Sequence, residues 1–231
     1  MRPFWTWTKR VLAALIVIVL LWQGWYFGWV VYWKFANPGQ TSFMATRLTE
    51  LREKNPQAEL KRQWMPYERI SDNLKRAVIA AEDAKFPEHE GFDWEGIQKA
   101  MEKNQKKGKI VAGGSTITQQ LAKNLFLSAS KTSWRKAQEA IITLMLEAVM
   151  DKQRILEIYL NVVEWGNGVF GAEAAAQHYY HVPAARLSAD QAARLAVMLP
   201  NPRRFERLPN SPYLAARTGI IRARMADAEI P

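Results

Sequence analysis

From Val11 to Trp33 the chain runs for 23 residues without a formal charge. A helix of that length reaches roughly 35 Å at about 1.5 Å per residue, enough to cross a hydrocarbon core of about 30 Å. Six of the ten tryptophans lie in the first 33 residues: Trp5 and Trp7 near one end, and Trp22, Trp25, Trp29 and Trp33 along the other half. Indole rings favour the headgroup zone, so the segment reads as a span with two aromatic belts. Arg2, Lys9 and Arg10 precede it and no acid does, which puts residues 1–10 in the cytoplasm and everything after the span outside it. A cleaved signal peptide would have a shorter apolar region and small residues at its end. This run is long and ends in bulky aromatics, so the expectation is an uncleaved anchor over residues 11–33.

The rest of the chain must then fold on one side of a bilayer. About 195 residues remain, enough for one domain with two lobes. Apolar residues make up 48% of the chain, so a packed core is available, and with no cysteine that core has no disulfides. The net charge is +10, and +7 without the three cations before the span. A basic domain tethered to a membrane suits an anionic partner, either lipid headgroups or a substrate carrying phosphate. Nucleic acid fits the charge but not the compartment.

Asn37-Pro38-Gly39-Gln40 separates the span from the extramembrane part of the chain. Residues 34–64 read as a juxtamembrane or lobe segment with a short helix over Ala45–Lys54, then an extended stretch near Trp64-Met65-Pro66. Ser71 reads as the N-cap of a helix through Leu74, Ala77, Val78, Ala81 and Ala84, ended by Pro87. A further helix is expected over Trp94–Lys103. Residues 102–115, basic and without apolar period, read as a mobile loop. Helical spacing resumes from Ser115. Ser133 and Asp151 are the expected caps of the next two helices. Gly166-Asn167-Gly168 reads as a turn, Gly171–Tyr180 as a helix, and Ser188–Gln191 as a capping box for a helix that stops before Pro200. With no alternating strand of useful length and no repeat, the domain is expected to be all-α.

Three stretches could carry chemistry. In "AVIAAEDAKFPEHEG" an alanine-rich run ends on two carboxylates, Glu82 and Asp83, followed by Phe86 and His89. Neighbouring helix positions point about 100° apart, so one carboxylate can face a cleft while the other braces the fold. Glu82, His89 and Glu90 do not have the spacing of a metal-ligand set. In "GGSTITQQLAKN" two glycines precede a helix start, which would leave amides free for a phosphate. Thr116, Gln120 and Lys123 share one face of that helix. In "SWRKAQEAI" Arg135 and Lys136 lie one turn before Glu139. By spacing alone this last group reads as a surface ion pair.

Taken in order, "EDAKFPEHEG", "GGSTITQQLAKN", "RKAQEAIITLMLE", "KQRILEIYLN" and "RLAVMLPNP" closely resemble the five motifs of the family 51 glycosyltransferases. These enzymes polymerise peptidoglycan from lipid II. The resemblance covers about residues 65–205, implies a glycosyltransferase domain over residues 65–231, and implies a lysozyme-like fold of two helical lobes. With the chain ending at residue 231 there is no room for a transpeptidase domain, so the expected type is the monofunctional one with a single anchor.

The resemblance also implies roles. Glu82 matches the family's general base, with Asp83, Phe86 and His89 beside it. Ser115, Thr116, Gln120 and Lys123 match the second motif, Lys123 at a lysine that contacts substrate phosphate. Arg135 matches a further phosphate-facing cation, with Lys136 next to it, and Glu139 matches the second essential glutamate. Lys131 sits where some relatives have another cation. Expected partners are lipid II, the growing glycan strand, membrane lipids and other cell-wall synthesis or division proteins.

A pyrophosphate leaves as a stabilised anion, so it needs positive charge rather than an acid. That charge could come from Lys123, Arg135, helix amides or a divalent cation such as magnesium or manganese, with no organic cofactor. What remains for a side chain is one base. Two rival classes stay open at this level: a lysozyme-like muramidase, for which Lys123 and Arg135 would be superfluous, and a non-catalytic glycan-binding module.

Overall fold

The computed structural model describes residues 2–109, 113–128 and 132–231, with side chains from residue 7 onward. Lys131 therefore lies outside the described residues. The chain divides into two units, Met1–Asn37 and Pro38–Pro231.

The first unit is one helix, α1 (Arg2–Phe35). Its Trp7–Phe35 portion is long and apolar enough to cross a membrane, with a mean hydropathy of 2.0 over its most apolar 18 residues. Trp25 and Trp29, one turn apart, pack edge to face with ring centroids 6.3 Å apart, and Trp29 and Trp33 repeat the spacing at 5.3 Å.

Among the described residues the regular structure of the second unit is almost entirely helical. In chain order it runs α2 (Ser42–Arg52), β1 (Lys61–Arg62), α3 (Asp72–Glu82), α4 (Trp94–Lys107), α5 (Ile117–Phe126) and α6 (Ser133–Val149). It continues with α7 (Lys152–Val162), β2 (Glu164–Gly166), β3 (Val169–Phe170), α8 (Ala172–Tyr180), α9 (Ala189–Met198), α10 (Pro202–Arg207) and α11 (Pro212–Arg224). Local chemistry explains the starts. Thr41, Ser71, Asp93, Thr116, Thr132, Asp151 and Ser188 each accept a first-turn amide of the helix they precede. Thr116 and Ser188 complete full capping boxes with Gln119 and Gln191.

Three expectations change in detail. The cap of α6 is Thr132 rather than Ser133. Helix α3 ends at Glu82, two residues before Ala84, because Asp83 leaves the helical region. Helix α4 continues through Lys107 into the segment expected to be loop, and Gly108 closes it in the left-handed conformation at φ 61°. The small sheet, in the order β1-β3-β2, has no signature in the sequence because strands of two or three residues are too short to show an alternation.

The core explains why the apolar runs are so rich in alanine. Leu74, Ala77, Val78 and Ile79 of α3 are fully buried, and α3 packs on α9, which offers Ala192, Ala193, Leu195 and Ala196. Small side chains let the two axes approach closely. Helix α5 lies against α6 and α7, burying Ile117, Leu121 and Leu125 with Ile142, Leu146, Ile155 and Ile158. Removing one such side chain, as in Leu121→Ala, costs about 2–5 kcal/mol. Helices α3, α5, α6 and α7 are thereby fixed, and they carry most of the side chains of the candidate site.

Candidate active site

Glu82 is the last residue of α3, at the rim of a pocket of about 350 Å³ that Asp83, Asp93, Ser115, Thr116 and Arg224 also line. The packed body of the helix holds its backbone, while the side chain is half-buried. Its Oε2 accepts a hydrogen bond from Gln120 Nε2 at 2.7 Å. Among the described residues its Oε1 accepts none. Burial pushes the Glu82 carboxyl above its ordinary value and the negative charge of Asp83 adds to this. The Gln120 hydrogen bond and the charges of Lys123 and Arg217 act the other way.

Asp83, though adjacent, is buried and fully engaged. Its Oδ2 accepts the backbone N–H of Ile117 and its Oδ1 the Nε2–H of His89, both at 2.9 Å. The tautomer is set by the other ring nitrogen: His89 Nδ1 accepts the Gly91 amide at 3.1 Å, so the ring proton sits on Nε2. Gly91 has φ 87°, and a Cβ there would come within 2.7 Å of Thr143 Cγ2, so only glycine brings the chain this close to α6. Thr116 Oγ1 secures the same residue by donating to Gly91 O at 2.7 Å. Phe86 is fully buried. The Lys152 ammonium lies 4.7 Å above its ring, bonds His89 O, and pairs with Glu147 at 2.8 Å. Asp83, Phe86 and His89 therefore sit beneath Glu82 and hold the loop on its C-terminal side.

Of the amides expected to be free at the start of α5, three are engaged. Ile117 N–H is taken by Asp83, Gln119 N–H by Thr116 Oγ1 and Thr116 N–H by Gln119 Oε1. The preceding glycines differ in purpose. A Cβ on Gly114 would meet Ile97 Cα at 3.0 Å, so its smallness serves packing on α4, whereas Gly113 faces open space.

The cations gather on α5 and α6. Arg135 Nη1 donates to Glu139 Oε2 at 2.5 Å, and the Lys136 ammonium pairs with Glu139 Oε1. Lys136 also reaches Ser115 Oγ at 3.4 Å. Glu139 is buried, so this is not the solvated surface pair that spacing alone suggested. Among the described residues Arg135 Nε is buried without a hydrogen-bond partner. Lys123 makes no hydrogen bond or ion pair among the described residues. Burial lowers its affinity for a proton, the charge of Glu139 opposes that, and Arg135 and Lys136 lower it further. A buried donor without an acceptor, beside an ammonium without a bonded counterion, forms a ready anion site.

Three groups at the site have no signal in the local sequence. Tyr159 of α7 stands behind Gln120, while Arg217 and Arg224 arrive from α11. Tyr159 looks like one more residue of an apolar stripe, and the two arginines like a solvated helix face.

A family model described as Transglycosylase matches residues 47–226. The biosynthetic peptidoglycan transglycosylase of Dechloromonas aromatica is 65% identical over 225 residues, covering 97% of each chain. The protein of that name from Laribacter hongkongensis is 63% identical, over 97% of this chain and 99% of its own. That of Azoarcus sp. is 61% identical over the full length of both.

Proposed function

This chain belongs to the transglycosylase family, and we propose that it polymerises lipid II into β-1,4-linked glycan strands for the cell wall, with Glu82 as general base. The supporting observation is the pairing of one half-buried carboxylate that keeps an open oxygen with a cation cluster on the neighbouring helices. In this reading the GlcNAc 4-hydroxyl of the acceptor donates its hydrogen bond to Glu82 Oε1. As its oxygen attacks C1 of the donor MurNAc, the proton passes to Glu82. The C1–oxygen bond to undecaprenyl pyrophosphate breaks, and the electron pair leaves on the pyrophosphate. Attack opposite the leaving group inverts the α-linked donor to a β-linkage. A base in this position contributes about 10²–10⁴-fold.

Lys123, Arg135 and Lys136 meet the negative charge that grows on the leaving group. Glu139 acts by holding Arg135 and Lys136 in place. Asp83, Phe86 and His89 serve the reaction through the loop rather than by touching substrate. A divalent cation at the pyrophosphate would take most of its ligands from phosphate oxygens and water, with at most one or two carboxylates of the chain. Among the described residues no three His, Asp or Glu side chains cluster to hold one. Glu139 is occupied by two cations and Asp83 by two N–H groups. The chain's own cations carry the pyrophosphate in this reading.

The apolar α1 fits the same account as an anchor in the inner membrane, with residues 1–10 cytoplasmic and the catalytic domain, from about residue 65, on the outer side. Donor and acceptor both carry polyprenyl tails, so a tethered enzyme meets them in two dimensions. Incubation with lipid II is the test. Polymer supports the reading, whereas glycan fragments would indicate a muramidase and no product a binding module.

A further inference from the structure

The tyrosine behind the cleft asks for an explanation. Tyr159 is fully buried, and a phenylalanine would fill the same space without bringing a hydroxyl out of water. Its hydroxyl donates to Gln120 Oε1 at 3.0 Å, while Gln120 Nε2 donates to Glu82 Oε2 at 2.7 Å. One residue from each of α7, α5 and α3 thus forms a single line ending on the carboxylate. We propose that Tyr159 is a positioning residue for Glu82, acting by fixing which end of the Gln120 amide faces the carboxylate. The proposal rests on the reading of Glu82 as base.

The physical reason lies in the near-identical shape of the two ends of an amide. Rotated by half a turn, Gln120 would set its oxygen against Glu82 Oε2, acceptor against acceptor. The local energy must therefore prefer one end. Tyr159 supplies that preference, because its phenol makes no other hydrogen bond among the described residues. With the amide flipped, the phenolic proton would be buried without an acceptor, at the cost of an unmet donor. Burial together with the charges of Glu82 and Asp83 raises the phenol well above its ordinary value, so it stays a donor. The consequence at Glu82 is twofold. Oε2 is held by an N–H, which leaves Oε1 for the acceptor hydroxyl, and the donated bond favours the ionised carboxylate against its burial.

Other charges also face Glu82: Asp83 beside it, Lys123 from α5 and Arg217 from α11. The charged groups of α9, which packs on α3, are engaged elsewhere. Asp190 pairs with Arg222 at 2.9 Å, and Arg194 bonds Pro209 O. None of these groups contacts the Gln120 amide, so substitution of Tyr159 acts on the line alone.

The experiment measures kcat and KM against pH for lipid II polymerisation by the full-length protein. The variants are Tyr159→Phe, Gln120→Ala, the double variant and Glu82→Gln. Tyr159→Phe is expected to lower kcat about 10-fold near neutrality with little change in KM, and to move the acid limb up by about one pH unit, as loss of a hydrogen bond to a charged group would. In the Gln120→Ala background it should add nothing, because its route to Glu82 is gone. A Tyr159→Phe profile that overlays wild type, or losses that multiply in the double variant, would overturn the proposal. Should Tyr159→Phe not fold, Gln120→Ala alone decides: an upward shift of the acid limb supports the line and an unmoved limb overturns it. Glu82→Gln separates the two inferences. Full turnover there sinks the base reading, while a dead Glu82→Gln beside an unaltered Tyr159→Phe sinks only the role of Tyr159.

Discussion

The Asp83 carboxylate accepts the first helical amide of α5, Ile117 N–H, at 2.9 Å across 34 residues of sequence. The end of the helix carrying Glu82 is thereby joined to the start of the helix carrying Gln120 and Lys123. A carboxylate at a helix N-terminus is favoured both by the hydrogen bond and by the helix dipole. Asp83→Ala should therefore cost about 2 kcal/mol, or roughly 4–8 °C in a domain this size. It should also reduce turnover by loosening the separation of Glu82 and Lys123. A thermal melt unchanged within 1 °C, taken as about the error of the method, would show that the bond contributes nothing.

Glu82→Gln keeps the shape of the side chain and removes the base. Polymerisation should fall by at least about 10²-fold while lipid II binding persists. Single-turnover assay beside a binding isotherm gives both quantities. Weakened binding with the chemical step intact would assign Glu82 to substrate grip instead.

The pH dependence has a definite sign. The Glu82 carboxyl is raised above its usual 4.5, first by burial. A base works when ionised, so turnover should decline as pH falls through a value above 4.5. The same shift acts on stability in the opposite sense. Between the unfolded and folded values the native state binds more protons, so the Glu82 contribution to stability is present below the unfolded value and is lost as pH rises through the folded one. Glu82→Gln should therefore melt higher than wild type at neutral pH, and the gap should close in acid. Melting curves from acid to neutral pH check this, and a variant less stable than wild type at neutrality contradicts it.

Lys123→Ala should depress turnover by roughly 2–4 kcal/mol, the usual cost of losing one donor to a developing anion. Arg135→Lys should also be poorly tolerated. Arg135 bonds Glu139 through Nη1 and keeps a buried Nε for another acceptor, and an ammonium cannot serve both directions. Single-turnover rates compared with affinity for a pyrophosphate-bearing inhibitor separate charge developing in the transition state from ground-state binding. Wild-type rates in both variants would remove the cations from the chemistry.

Deleting residues 1–37 removes the first unit whole. The remaining chain should polymerise lipid II in detergent and lose efficiency on lipid II embedded in vesicles, because the two-dimensional search is gone. Equal rates in vesicles with and without the segment would reduce the helix to an address.

Much of this was legible in the sequence because it is local. An uncharged run marks a span, a 3.6-residue apolar period marks a helix, and a Ser one turn before a Gln marks a helix start, so α3, α5, α7 and α9 were readable, as was a carboxylate at the end of α3. The five ordered motifs added the family. What lay beyond reach depends on which groups meet in space. Spacing could not tell whether Glu82 or Asp83 faced the cleft; the tertiary structure separates them by giving both Asp83 oxygens partners and leaving one Glu82 oxygen open among the described residues. Spacing made Arg135, Lys136 and Glu139 a surface pair, and only the packing of α6 buries the glutamate. Tyr159 reaches Gln120 across 39 residues, and Arg217 arrives from the last helix. A periodic pattern records which face of a helix is apolar, whereas burial, and with it the strength of every charge and hydrogen bond at the site, is set by what the other helices place against that face.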